Sequence, residues 1–439
     1  MRIKNIYQLI ILLSLAVSMQ AFSLDEAVSV ALKNSTEIQK ASMNVEIAKA
    51  DMQEKQAQNY GRFDLLASYA HYNLPRTLTP LTPVSVAGGA AIIPTTQDMF
   101  VGGISYSVEL FTGMQNTRSI EVASLQKEIA DNLRFLSREQ LIYNVKTLYV
   151  NILALQAQRD AQTLYVKALK DLHESVAYKV ELARLAKIDE LKSLADLNRA
   201  SLGLIEIESN IEILKSTLAA TMLVKEVSNF EKIEIEVVDV GESQESYDAA
   251  LAQTKRQRLA TLDTNKKIKE EEKTFAMKYP KVGFNGYYGL SSGINDGSNA
   301  YSGDFKSADV WQAGVDLKWN IFDFGKTSSL IQKSRIKTMQ SRLDAVKTKR
   351  ELQSSLTQAL IKIKLSVKTF ASAKSELALM KETQKIEQLL YDNGASNIND
   401  LLYSKARYQL ANSSYISSKH NYQNSLNYLN YLLEKGHEK

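Results

Sequence analysis

Val310-Trp311-Gln312-Ala313-Gly314-Val315-Asp316-Leu317-Lys318-Trp319-Asn320-Ile321-Phe322 carries a period of two from Trp311 to Ile321. Side chains alternate across an extended chain, so Trp311, Ala313, Val315, Leu317, Trp319 and Ile321 fall on one side and Gln312, Gly314, Asp316, Lys318 and Asn320 on the other. The pattern predicts a strand over 310–322 with one apolar, aromatic face. It occurs twice in the chain. Gly102, Ile104, Tyr106, Val108 and Leu110 alternate with Gly103, Ser105, Ser107 and Glu109 in the same way. Residues 63–72 and 282–290 are rich in Tyr and Phe and supply each of these strands with a weaker partner. Residues 73–98 and 291–307 then read as the loops of two hairpins. The glycines of 286–297 lack the Lys and the strand–loop–helix setting of a phosphate cradle, and are expected in an external hairpin loop.

The hairpins belong to a duplication. Leu24-Asp25-Glu26-Ala27-Val28 opens a helical stretch that recurs as Tyr247-Asp248-Ala249-Ala250-Leu251, and Phe111-Thr112-Gly113 has its counterpart in Phe322-Asp323-Phe324-Gly325. Each half is expected to run helix, hairpin, long helix, tip turn, helix. Residues 24–223 form the first repeat, with its hairpin at about 62–111 and its tip at about 179–188. Residues 224–246, where Ile233, Ile235, Val237 and Val238 sit among acids, suit a connecting strand or loop. Residues 247–439 form the second repeat, with a hairpin at about 281–322, a long helix over 326–392 and a tip at 393–399. Neither Gly nor Pro interrupts 326–392, a length that would reach roughly 100 Å at 1.5 Å per residue. Ile336, Met339, Leu343 and Val346 recur there at three–four spacing, as do Leu360, Ile363, Val367 and Phe370, which predicts packing of coiled-coil type.

Composition removes whole classes of function. The 439 residues include no Cys, which excludes disulfide scaffolds, Cys-ligated metals, a thiol nucleophile and a lipid-modified Cys anchor. Four histidines, His71, His173, His420 and His437, show no metal or triad spacing, so no catalytic, cofactor or metal site is expected. With 54 basic and 49 acidic residues the chain offers no large basic face for nucleic acid. Arg2 and Lys4 precede an apolar run over 6–17, and small residues follow at Ala21 and Ser23, so 1–23 reads as a secretory signal peptide. The run is too short for a spanning helix, which needs about 20 residues.

Exported strands that span a membrane must close into a barrel, and the smallest such barrels use about eight strands. One chain provides four. Closure then requires several copies, with their long helices gathered around the same axis into a tube. The alternation would put Ile104, Tyr106, Val108, Trp311, Val315 and Leu317 against lipid and the polar side against a wet lumen. Taken alone, each of these signals also fits a half-buried sheet or a structural coiled coil.

Short motifs in fixed order narrow this further. Leu24–Val28, Tyr279-Pro280 entering a strand, Asn320 to Gly325 leaving one, Asn393-Gly394-Ala395-Ser396 and Asp400-Leu401-Leu402 together resemble the TolC-like outer-membrane efflux proteins over nearly the whole mature chain. The resemblance implies an α+β membrane protein. Its parts are a trimeric 12-stranded β-barrel, four strands per chain, continuous with a long α-helical coiled-coil barrel. It also implies a passive exit channel of a tripartite system, fed by a periplasmic adaptor and an inner-membrane transporter of RND or ABC type. The alternative is the outer-membrane component of type I protein secretion. By the same resemblance Asp400 rings a closed periplasmic entrance, Tyr391 and Asp189 hold the inner helix pair to the outer one, and the tips Ala183-Arg184-Leu185 and Gly394-Ala395-Ser396 dock the adaptor. Tyr403 and Ser396 depart from the family's acid and arginine, which implies a single-acid constriction, and Ala183 stands where glycine is usual. From the residues alone, Gly394 suits the left-handed residue that ends a helix, and Asp400 suits an ordinary helix start as well as a gate.

Overall fold

A computed structural model describes residues 22–78, 80–88, 93–238, 244–294 and 305–436. The expected signal peptide up to Ala21 and His437 lie outside these residues. Helices α1 (Leu24–Asn34) and α2 (Thr36–Ala57) lead into strand β1 (Arg62–Thr77), a short α3 (Pro83–Ala87) and β2 (Thr95–Phe111). Two long helices follow, α4 (Gln115–Glu181) and α5 (Lys187–Met222). The second half repeats the order with α6 (Gln244–Ala252), α7 (Lys255–Phe275), β3 (Lys281–Ile294), β4 (Phe305–Lys318), α8 (Lys326–Asp392) and α9 (Ile398–Leu432). The duplication extends to element length: α4 and α8 each have 67 residues, and α5 and α9 have 36 and 35.

These elements form two compact units. One holds Met43–Asp131 with Leu259–Val346 and contains all four strands. The other holds residues 22–42, Asn132–Arg258 and 347–436. Among the described residues no helix is long and apolar enough to cross a membrane.

In the strand-bearing unit the two hairpins pair with each other, giving one antiparallel sheet in the order β1-β2-β3-β4. Cross-strand partners lie on one face, so the register reads directly as rungs. Leu65, Ile104, Tyr288 and Trp311 form one rung, and Val108, Phe284 and Val315 another. The opposite face carries Asp64, Ser105, Tyr287 and Gln312, then Arg62, Ser107 and Asn285. Five boundaries differ from the sequence expectation, two of them because β2 starts at Thr95 and β4 at Phe305, inside the stretches expected as loops. The strands β1 and β3 run on to Thr77 and Ile294, through residues assigned to loops. The glycines hold β3 together there: a Cβ added to Gly289 would meet the Gly102 carbonyl at 2.6 Å and the Tyr287 hydroxyl, whose ring covers the gap. Gly286, Gly289 and Gly293 therefore belong to a strand and not to the hairpin loop. At the other end β4 stops at Lys318, short of Phe322. Trp319 Nε1 donates to the Lys278 carbonyl at 3.1 Å, and Asp323 accepts from the Thr327 backbone at 2.9 Å as α8 begins.

Both strand-to-helix turns use two successive left-handed residues, Gly113-Met114 and Phe324-Gly325, with one glycine in each. The first helices of each half are broken where single helices were expected. Ser35 separates α1 from α2 and its hydroxyl accepts from Ile38 N, while Thr254 precedes α7 and accepts from Gln257 N.

In the second unit Ala27, Ala31, Val145, Tyr149, Ile152, Leu218 and Met222 form a core of α1, α4 and α5. A second core joins Leu356, Ala359 and Ile363 of α8 to Tyr247, Leu251, Tyr422, Leu429 and Leu432. Among its described residues the connecting segment forms no strand beyond a single parallel bridge, Phe22 with Phe230. Two tyrosines peg it. Tyr149 Oη lies 2.6 Å from the Phe22 carbonyl and 2.9 Å from that of Glu231, and Tyr422 Oη donates to the Val238 carbonyl at 2.8 Å. Burial pushes the Tyr149 hydroxyl up to about 12.

The packed seam of α8 is Thr338, Ser341, Ala345, Thr348, Leu352, Leu356, Ala359, Ile363, Ser366, Phe370, Ala373 and Leu377. Steps of three and four alternate except for one extra four at Leu356, a stutter in a heptad repeat. Ile336, Met339, Leu343 and Val346 are not on this seam. They are 49–70% exposed on the opposite side of the helix. The seam escaped sequence reading because its upper part consists of Ser, Thr and Ala: Thr338 Oγ1 donates to the Lys267 carbonyl and Ser341 Oγ to Asp263.

Candidate functional site

Two places carry the residues singled out above: the helix tips of one unit and the apolar sheet face of the other. At the first tip α4 ends in a Schellman turn, with Ala183 N donating to Val180 O at 2.9 Å and Arg184 N to Lys179 O at 2.8 Å. Gly394 N and Ala395 N make the equivalent bonds to Tyr391 O and Leu390 O at 3.0 and 2.8 Å. Ala183, Arg184, Gly394 and Ala395 are exposed, Leu185 is half-buried, and the half-buried Ser396 donates to Glu387 Oε2 at 2.9 Å.

Helix α9 is capped by Asn397, whose side chain accepts from Asp400 N at 3.1 Å and donates to Asp400 Oδ2 at 2.7 Å. Asp400 is thus the third residue of its helix and closes a reciprocal cap, with its carboxylate exposed. Tyr403, 63% exposed, accepts from Arg407 Nη1 at 3.1 Å one turn further on. Sequence reading missed this arginine because it was sought at position 396; the i,i+4 spacing from Tyr403 was the available signal.

Tyr391 sits in a core that joins Leu169, Leu172 and Val176 of α4 to Ile398, Leu401 and Leu402 of α9. Its hydroxyl has no hydrogen-bond partner among the described residues, and Lys179 Nζ lies 4.8 Å from the ring centroid. Burial first, and then the charges of Asp189 and Asp392, push the Tyr391 pKa above the usual tyrosine value. The structure therefore brings Asp189 into electrostatic reach of Tyr391. Lys405, also missed, lies near Asp392 and Asp171, and burial lowers its pKa. Tyr391 with Asp189 and Lys405 with Asp171 connect residues 200 or more positions apart, which no local spacing encodes.

On the sheet, Ile104, Tyr106, Val108, Trp311, Val315 and Leu317 share one face, since Ile104 stands opposite Tyr288 and Tyr288 opposite Trp311. Trp311, Val315 and Leu317 are 74, 67 and 66% exposed. An apolar face this open in a single chain needs a cover. The opposite face borders a cleft of about 770 Å³ lined by Glu54, Arg62, Glu109, Asn285 and Asp316. Among the described residues no cluster of His, Asp and Glu could hold a metal.

The family model of the outer membrane efflux proteins matches residues 27–206 and 272–433. No curated protein sequence matches the chain. Solved structures do. The CmeC outer membrane channel of Campylobacter jejuni superposes with a TM-score of 0.77 at 17% identity, covering 94% of this chain and 86% of that one. VceC of Vibrio cholerae gives 0.79 at 13%, covering 94% and 96%, and the open state of the MtrE outer membrane channel of Neisseria gonorrhoeae gives 0.74 at 17%, covering 94% and 89%. The duplicated hairpin-and-helix plan and a family match over well more than half of the chain lead to one conclusion: this protein belongs to the outer membrane efflux protein family, whose members are non-enzymatic channels of the Gram-negative outer membrane.

Proposed function

We propose that three copies of this chain form the exit duct of a tripartite efflux system, passing small molecules from an inner-membrane transporter and a periplasmic adaptor to the outside. One observation carries the reading: the sheet is antiparallel throughout, its outermost strands β1 and β4 have open edges, and one face carries an exposed apolar band that includes Leu65, Ile104, Trp311, Val315 and Leu317. An open edge costs several kcal/mol per unpaired group in hydrocarbon, so the sheet must close with other copies. With β1 and β4 running in opposite directions, the β4 edge of one copy meets the β1 edge of the next in the same antiparallel sense. Three copies give twelve strands. The lipid-facing set is then Ile104, Tyr106, Val108, Trp311, Val315 and Leu317, and the 14 to 17 residues per strand exceed the 9–11 that a tilted spanning strand needs.

The exposed stripe Ile336, Met339, Leu343 and Val346 supports the same assembly, as a surface for a neighbouring copy's helix. In this duct Asp400, Tyr403, Tyr391 and Asp189 form the periplasmic gate. The exposed tip residues Ala183, Arg184, Gly394 and Ala395, with Leu185 and Ser396 behind them, meet the adaptor. The test is single-channel conductance of detergent-extracted protein in a planar bilayer, with its mass measured on the same sample. A trimer with discrete openings supports the duct, and a monomer or a silent bilayer overturns it.

A further inference from the structure

The positive charge of this protein is concentrated on one helix. Helix α8 holds 14 Lys and Arg against 6 Asp and Glu, a net +8 that exceeds the +5 of the whole chain. The other three long helices are close to balanced: α4 is +1, α5 is −2 and α9 is +2. The excess on α8 is also one-sided. On one flank of the packed seam Arg335, Arg342 and Lys349 recur every seven residues, and after the stutter the same line passes Leu360 and Val367, half-buried against the core, before Lys374 and Lys381, and meets no acid. On the other flank Lys337, Asp344, Glu351, Lys362 and Glu376 are of mixed sign. All five residues of the basic line are exposed. Arg335 has one loose ion pair, 3.8 Å to Glu271, and the other four have none among the described residues. The neighbouring acids are already engaged, Glu270 by Lys267 and Glu272 by Arg118 and Lys269.

In a wall one helix thick, the seam and the exposed apolar stripe opposite it face neighbouring helices, so the two flanks face the two sides of the wall. Mixed charge suits bulk solvent. A line of one sign, repeated around a threefold axis, sets up a potential inside an enclosed space. We infer that the Arg335–Arg342–Lys349 flank lines the lumen and that the duct favours anionic solutes. This rests on the duct reading above and names its substrate class.

Reversal potential across a planar bilayer, in a KCl gradient of roughly tenfold, tests it. The expected result is anion selectivity that sharpens at low salt, because the screening length grows from about 8 Å at 0.15 M to about 30 Å at 0.01 M. The triple variant R335E/R342E/K349E should carry the Cl⁻ to K⁺ permeability ratio through unity, and the milder Arg342→Gln should lower it. The variant K337E/K362E on the other flank should leave it unchanged. Wild-type channels that prefer cations overturn the inference while leaving the duct standing. So does a ratio indifferent to Arg342→Gln and to the triple variant, as expected if this flank faces outward. A wild-type protein that never conducts brings down the duct reading itself.

Discussion

Ala183 and Gly394 occupy the same left-handed position after the two 67-residue helices, with φ of 57° and 75°. A Cβ in that region costs roughly 1 kcal/mol, and glycine avoids the cost. Ala183→Gly should therefore stabilise the first tip by about 1 kcal/mol and Gly394→Ala destabilise the second by a similar amount. Thermal unfolding of the helices followed by circular dichroism would read both. Destabilisation by Ala183→Gly would mean that the extra backbone freedom outweighs the strain.

Asp400 both caps α9 and belongs to the proposed gate, and two variants separate these roles. Asn397→Ala removes the cap and should lower helix stability by about 1 kcal/mol without changing closed-state conductance. Asp400→Asn keeps an oxygen for Asn397 but deletes the charge. It should leave stability nearly unchanged, weaken block by divalent cations and raise closed-state conductance. Block indifferent to Asp400→Asn would restrict Asp400 to capping.

Val315 and Gly314 are neighbours on opposite faces of β4. Val315→Lys should prevent assembly into the membrane, since a Lys facing lipid near the midplane costs roughly 2–4 kcal/mol per copy. Gly314→Lys should assemble normally, because an added Cβ there meets nothing within 4 Å and the face is the polar one. Heat-modifiable migration in gel electrophoresis distinguishes the two. Assembly of both, or of neither, would reverse or erase the assignment of faces.

His420 gives the helical unit a dependence on pH. Burial lowers its pKa below the ordinary 6.5, opposed by its bond to the Ile416 carbonyl and reinforced by Lys419. The unfolded chain therefore takes up a proton before the folded one does. Stability is complete above 6.5 and falls as the pH drops from there towards the lower folded value. The melting temperature should decrease between about pH 7.5 and about pH 5.5, and His420→Gln should flatten that limb. An equal decrease in the variant would assign the acid sensitivity to other groups.

Much of this architecture is legible in the sequence because period-two alternation and the absence of Gly and Pro are local signals. Trp311, Val315 and Leu317 announce their shared face, and Gly394 announces the end of α8. What was not legible depends on atoms far apart in the chain. The stop of β4 at Lys318 rests on the bond from Trp319 to Lys278. The α8 seam is hidden because Ser341 and Thr338 pack by size and hydrogen bonding, whereas Ile336 and Leu343, the residues an apolar search selects, face away. At the candidate site Asp189 and Tyr391 come together across some 200 residues, through a core whose members are ordinary Leu, Val and Ile.

The open edges of β1 and β4 make the solitary chain a hazardous species. Each edge is a template for any extended polypeptide it meets, and mispairing needs one encounter where closure of the proposed barrel needs three chains in turn. Correct assembly is therefore a race with aggregation, decided by how long a freshly exported copy stays alone. A cell making this protein gains by releasing it close to other copies, or by escorting it until they arrive.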